Sequence, residues 1–100
     1  MRYNKLMIFV RKLVWDKENI DHIKKHDVTP DEVEQVCHGQ VVVFDTYNDR
    51  YLIIGMTLSG KTLTIILDPE PEPNTYYPVT ARSADKAERK KYNEMKGVKI

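Results

Sequence analysis

Two apolar, β-branched runs, Tyr51-Leu52-Ile53-Ile54-Gly55-Met56-Thr57 and Lys61-Thr62-Leu63-Thr64-Ile65-Ile66-Leu67, are separated only by Leu58-Ser59-Gly60. A link that short, with glycine where positive φ is needed, predicts a β-hairpin and therefore an antiparallel sheet. Val41-Val42-Val43-Phe44 upstream reads as a buried strand, and Tyr76-Tyr77-Pro78-Val79-Thr80-Ala81 downstream as another. Pro69, Pro71 and Pro73 stand at alternate positions, so residues 68–75 cannot pair as a central strand and read as an extended connection. Pro78 marks its own strand as an edge or a bulge. Leu6 to Val10 and Leu13 to Trp15 also read as β material, interrupted by Arg11-Lys12.

Helix signals fill the gaps. Asp16 is placed to cap a helix from about Lys17 to His26, because its carboxylate can accept a free backbone N–H at the positive helix end. On a helical wheel Asn19, His22, Ile23 and His26 share one face of it. Thr29-Pro30-Asp31-Glu32 is a capping box with proline at the first helical position; Val33, Val36 and Cys37 then follow at helical spacing, and Gly39 stops the helix. Ser83 opens a last helix, Ala84 to Lys96, with Ala84, Ala87, Tyr92 and Met95 on one face, and Gly97 ends it. The order β-α-α-β-β-β-α predicts an α+β fold in two layers, a small antiparallel sheet with helices packed on one face. One hundred residues are enough for one domain spanning 1–100, with residues 1–12 a basic extension or first strand.

The net charge of +1 conceals a division. Residues 1–12 carry four bases and no acid, residues 13–81 five bases against twelve acids, and residues 82–100 seven bases against three acids. If the ends meet, they form a cationic surface suited to phosphate; otherwise they are solvated termini. One cysteine excludes an internal disulfide framework, no apolar run reaches the length of a membrane span, and Leu6 to Val10 is too short for a secretory segment, so a cytoplasmic protein is expected.

There is no glycine-rich phosphate loop, Cys-x-x-Cys pair or nucleophile elbow. His22 and His26, one helical turn apart, could share a metal with Cys37 and His38, act as general acid or base, or serve the helix end. Arg82 ends the last strand, where it can grip a phosphate bidentately or pair with Asp16, Glu32 or Asp85. Arg50, at a strand start, can join Arg82 on one side of the sheet or be a charged hairpin end. Tyr47, Tyr76 and Tyr77 would suit single-stranded RNA if exposed; Trp15 and Tyr92 read as core anchors.

Trp15-Asp16-x-x-Asn19-x-x-His22-Ile23-x-x-His26-x-Val28-x-Pro30-x-Glu32-Val33, then Tyr51-x-x-Ile54-Gly55, then Thr80-Ala81-Arg82-x-Ala84-x-x-x-Glu88-Arg89-x-x-Tyr92 resemble the BrnT-type toxins of the RelE/ParE-like superfamily. The resemblance covers residues 13–93. It implies a RelE-like fold and the toxin of a type II toxin–antitoxin system, an endoribonuclease that needs no metal or other cofactor and inhibits translation. It also implies a cognate antitoxin of the ribbon-helix-helix type as partner. The matching positions are Trp15, Asp16, His26, Glu32, Arg82 and Arg89. Many members have glycine where this chain has Asp27, and more basic residues around the second hairpin strand, where this chain offers Arg50 and Lys61. For such a nuclease His22 and His26 are the expected acid and base, with Arg50 and Arg82 on the phosphate. Lys25, Lys61 and Arg89 would hold the RNA. Two alternatives stand beside it: a non-catalytic BrnT-like interaction module acting through a partner protein, and a small metal-binding domain using His22 and His26.

Overall fold

The computed structural model of the chain describes residues 2–4 and 8–96. Its elements are β1 (Arg2–Asn4), β2 (Lys12–Leu13), α1 (Lys17–Lys24), α2 (Pro30–Cys37), β3 (Val41–Asp45), a 3₁₀ turn (Tyr47–Asp49), β4 (Tyr51–Met56), β5 (Thr62–Pro69), β6 (Thr75–Ser83) and α3 (Lys86–Lys96). The fold is α+β. Leu6 and Met7 of the first expected strand, and Gly97, lie outside the described residues, while Ile8 to Val10 are not in a strand.

The six strands run in the order β1-β3-β4-β5-β6-β2, and every pairing is antiparallel except the short parallel one between β2 and β6. The hairpin closes as expected, with Gly60 at φ +92°. The expected connection over 68–75 is shorter, because Asp68 and Pro69 still pair with Tyr77 and Tyr76 and Thr75 already opens β6; within β6, Pro78 sits at a register shift, where Leu67 faces Pro78 but Ile66 faces Thr80. Val79 is the extra residue of that bulge.

Side-chain alternation gives the sheet two apolar faces, and each takes its own helix layer. Val43, Ile53, Leu63, Ile65, Leu67 and Ala81 meet Ile23, Val28, Val33, Val36 and Cys37 of the α1–α2 layer. The intervening residues Val42, Phe44, Leu52 and Ile54 meet Ala84, just before α3, and Tyr92 and Met95 of α3. The expected helices on one face are thus corrected: α3 lies on the opposite face. Strands with apolar residues at consecutive positions need cover on both sides.

Both helix caps read from the sequence form. Asp16 accepts from the Asn19 backbone while Asn19 returns a bond to the Asp16 N–H, and Thr29 and Glu32 do the same for α2. Helix α1 stops at Lys24, two residues short of the expected end, because Asp27 turns left-handed at φ +59°. The Asp27 and Val28 N–H groups then close on the Lys24 and Ile23 carbonyls. The cap of α3 is Asp85 rather than Ser83: Asp85 and Glu88 exchange side-chain and backbone bonds at 2.9 and 2.8 Å. Serine at 83 is still in β6, so it cannot open the helix.

Among the described residues no helix is long and apolar enough to cross a membrane.

Candidate functional site

Helix α1 lies along the outer edge of β6. Because β2 pairs only with Thr75 and Tyr76, the rest of that edge needs other partners. Asn19, 1% exposed, donates through Nδ2 to the Pro78 carbonyl at 3.2 Å and to the Val14 carbonyl at 2.9 Å. One turn on, His22 Nε2 lies 3.1 Å from Thr80 Oγ1. Further along, Lys61 at the end of the β4–β5 turn donates to the Asp27 carbonyl at 2.8 Å and stands 3.6 Å from Glu32. The helix therefore runs parallel to β6 and delivers its C-terminal imidazoles toward the hairpin turn.

His22 and His26 are both exposed and form an edge-to-face pair with ring centroids 5.5 Å apart. Lys25, the residue that follows α1, is exposed. Thr80 and Arg82 point to the same sheet face two residues apart, a spacing of about 7 Å. Arg82 thus stands on the strand that His22 touches, one same-face position further on.

Arg82 is engaged. Its Nη1 and Nη2 donate to Oε1 and Oε2 of Glu88 at 2.7 and 2.9 Å, and Nη1 also reaches the Ser83 carbonyl at 3.3 Å. The sequence offered Asp16, Glu32 or Asp85 as its acid; the partner is Glu88, because the Asp85 cap turns that carboxylate back over the strand end. The hydrogen bond that Arg82 donates to Glu88 raises the Arg82 pKa against the cost of burial. For Glu88, burial is the largest influence and pushes upward, yet the hydrogen bonds from Arg82 and the Asp85 backbone, with the charge of Arg82, leave it below its usual value.

Arg50 shares the α3 face with Arg82 but not its location. It reaches Asp68 at 3.8 Å, whereas Arg82 is paired with Thr64, four residues away on β5. That separation is about 13 Å along the strand, so one phosphate cannot touch both. Arg89 donates to the Ala84 carbonyl at 2.7 Å at the start of α3. Along the strands, His22, Lys25, His26 and Lys61, on the α1–α2 side of the sheet, and Arg82 and Arg89, on the α3 side, lie toward the hairpin-turn end, and Arg50 lies at the other. What reasoning from sequence missed is Thr80 and Glu88 as the groups holding His22 and Arg82. The signal for Glu88 was Asp85-x-x-Glu88, a capping box overlooked in favour of Ser83.

The tyrosines divide. Tyr76 packs edge-on against Tyr51 in the α1–α2 layer, 6.1 Å between centroids. Tyr77 donates to both Asp16 oxygens at 3.1 and 3.0 Å. The Tyr47 side chain lies outside what is described. Tyr92, on the sheet-facing side of α3, is buried, and Trp15 is half-buried with its indole N–H on Glu34 at 2.9 Å. The α3 layer covers β3 and β4, leaving Thr62, Ile66, Thr80 and Arg82 half-exposed on the β5–β6 part of the face. A groove of about 140 Å³ between α3 and the sheet is lined by Phe44, Leu52, Ile54, Ala87, Glu88 and Lys91.

The metal alternative finds no constellation. Among the described residues no three of His, Cys, Asp or Glu are grouped to hold an ion. Cys37 is a core residue whose thiol is pushed up to about 12, first by burial and then by the charge of Glu34, and His38 bonds Glu34 at 3.1 Å.

No protein-family model, curated protein or solved structure matches the chain.

Proposed function

We propose that the chain is a BrnT-type toxin with a RelE-like fold, an endoribonuclease of the cytoplasm that inhibits translation and is neutralised by a cognate ribbon-helix-helix antitoxin. The observation that carries the reading is the meeting of His22 with Thr80, two residues before Arg82 on one strand. An imidazole pair and a guanidinium beside a half-open sheet face are the parts that cleavage through the 2′-hydroxyl requires.

In that reaction one imidazole takes the 2′-hydroxyl proton as the oxygen attacks the adjacent phosphorus. The second gives a proton to the departing 5′-oxygen, and the products are a 2′,3′-cyclic phosphate and a free 5′-hydroxyl. The Thr80 contact occupies Nε2 of His22, so the substrate would meet the other ring nitrogen. Arg82 counters the charge growing on the phosphorane, and Lys25 with Lys61 and Arg89 attracts the flanking backbone. Arg50, about 13 Å along the sheet from Arg82, belongs with a phosphate further along the strand of RNA rather than with the scissile one.

The second reading, an interaction module without chemistry, is favoured by one observation: Lys61, Arg82 and Arg89 are each bonded within the protein. The two readings part on expression in growing cells. Growth arrest by the wild type, relieved by Arg82→Ala and by His22→Ala and suppressed by the product of an adjacent reading frame, is expected of the nuclease. Arrest that survives both substitutions, or no arrest and no RNA cleavage by purified protein, overturns it.

A further inference from the structure

A guanidinium has five N–H donors arranged as two forks, one across Nη1 and Nη2 and one across Nε and Nη2. In Arg82 the first fork is spent on Glu88, and the remaining Nη1 hydrogen points to the Ser83 carbonyl. Among the described residues nothing else bonds this side chain. The Nε–H and the second Nη2–H are left, parallel, on the flank of a side chain 42% exposed. The anchor is held more firmly than the group it anchors: Glu88 is 18% exposed, and its carboxylate accepts from the Asp85 backbone at 2.9 Å while its own N–H donates to the Asp85 side chain at 2.8 Å.

We propose that Glu88 is the positioning residue of Arg82, turning the guanidinium so that its Nε–H/Nη2–H fork meets two non-bridging oxygens of the RNA phosphate. The proposal rests on the ribonuclease reading for its substrate. A carboxylate beside an anion site weakens attraction for the anion, so Glu88 cannot serve by binding RNA. Its effect is on orientation, which is realised in the transition state where charge on those oxygens grows.

This separates kcat from KM. Glu88→Gln keeps a carbonyl oxygen for the Asp85 N–H but loses the paired charge. It is expected to lower kcat about tenfold or more while KM holds or falls. Asp85→Ala removes the other half of the cap, leaves the Arg82–Glu88 pair, and is expected to keep kcat within about threefold of wild type. A Glu88→Gln kcat within that same range, or an Asp85→Ala loss equal to that of Glu88→Gln, overturns the proposal. A second readout does not need cleavage. In ¹H–¹⁵N spectra the Arg82 Nη groups should be resolved by hindered rotation in the wild type and averaged in Glu88→Gln, and the wild-type Nε–H should shift on titration with inorganic phosphate. Those signatures in a protein that cleaves no RNA would sink the ribonuclease reading and leave the positioning role. Freely averaging Nη groups in the wild type, or an Nε–H indifferent to phosphate, would sink the positioning role.

Discussion

His22 on α1 and Thr80 on β6, 58 positions apart in the chain, meet with Nε2 and Oγ1 at 3.1 Å. The contact ties the exposed imidazole stripe of the helix to the strand that carries Arg82. His22→Ala is expected to reduce single-turnover RNA cleavage by about a hundredfold, the scale of a lost general acid or base. Thr80→Val, which keeps the shape and removes the hydroxyl, should cost severalfold less and leave the melting temperature nearly unchanged. A cleavage rate indifferent to both would separate this edge from the chemistry.

Asn19 joins α1 to the sheet by donating to the carbonyls of Val14 and Pro78. Asn19→Ala leaves the Val14 and Pro78 carbonyls and the Asp16 N–H without their bonds. Urea unfolding should show a loss of about 3 kcal/mol, in the range for buried polar groups left unpaired.

Gly55 marks where α2 presses on β4. A Cβ there would stand 2.8 Å from Val36 Cγ1, 2.9 Å from Val41 Cγ1 and 3.2 Å from the Gln40 carbonyl. Both valines are stiff at χ1 and Val36 is fully buried, so the neighbours have little room to yield. Gly55→Ala should destabilise by about 2 kcal/mol, read from the denaturant midpoint.

Asp27 takes the left-handed position that ends α1. Glycine bears that conformation without the Cβ penalty, and it is the residue the resembled family often has there. Asp27→Gly is expected to stabilise the protein by about 0.5 kcal/mol. A decrease in the melting temperature would show that the aspartate side chain contributes more than its backbone strain costs.

Glu88 sets a pH dependence. Burial opposes its ionisation, but the bonds from Arg82 and the Asp85 backbone, with the charge of Arg82, outweigh it and hold the carboxyl below its ordinary value of 4.5. A depressed carboxylate contributes stability that is complete above the unfolded pKa and is lost as pH falls through the folded one. The stability gap between wild type and Glu88→Gln should therefore be steady above about pH 5 and shrink below pH 4.5. A gap that widens on acidification would contradict the pairing.

The local decisions were legible in the sequence because their causes are local. Thr29-Pro30-Asp31-Glu32 caps α2, Asp16 caps α1, and Leu58-Ser59-Gly60 closes the hairpin, since each depends on residues within a few positions. Pro78 announced its bulge for the same reason: a missing N–H is a property of one residue. Which sheet face receives α3 was not legible. Val42 to Phe44 and Leu52 to Ile54 are apolar on both faces, and only the packing of the whole chain assigns one helix layer to each. The same holds at the candidate site. The sequence supplied His22, Arg82 and Arg50; the tertiary structure docked His22 on the strand that carries Arg82, paired Arg82 with Glu88, and carried Arg50 to the far end. Distances between side chains remote in sequence follow from strand register and helix docking, which no short window of residues encodes.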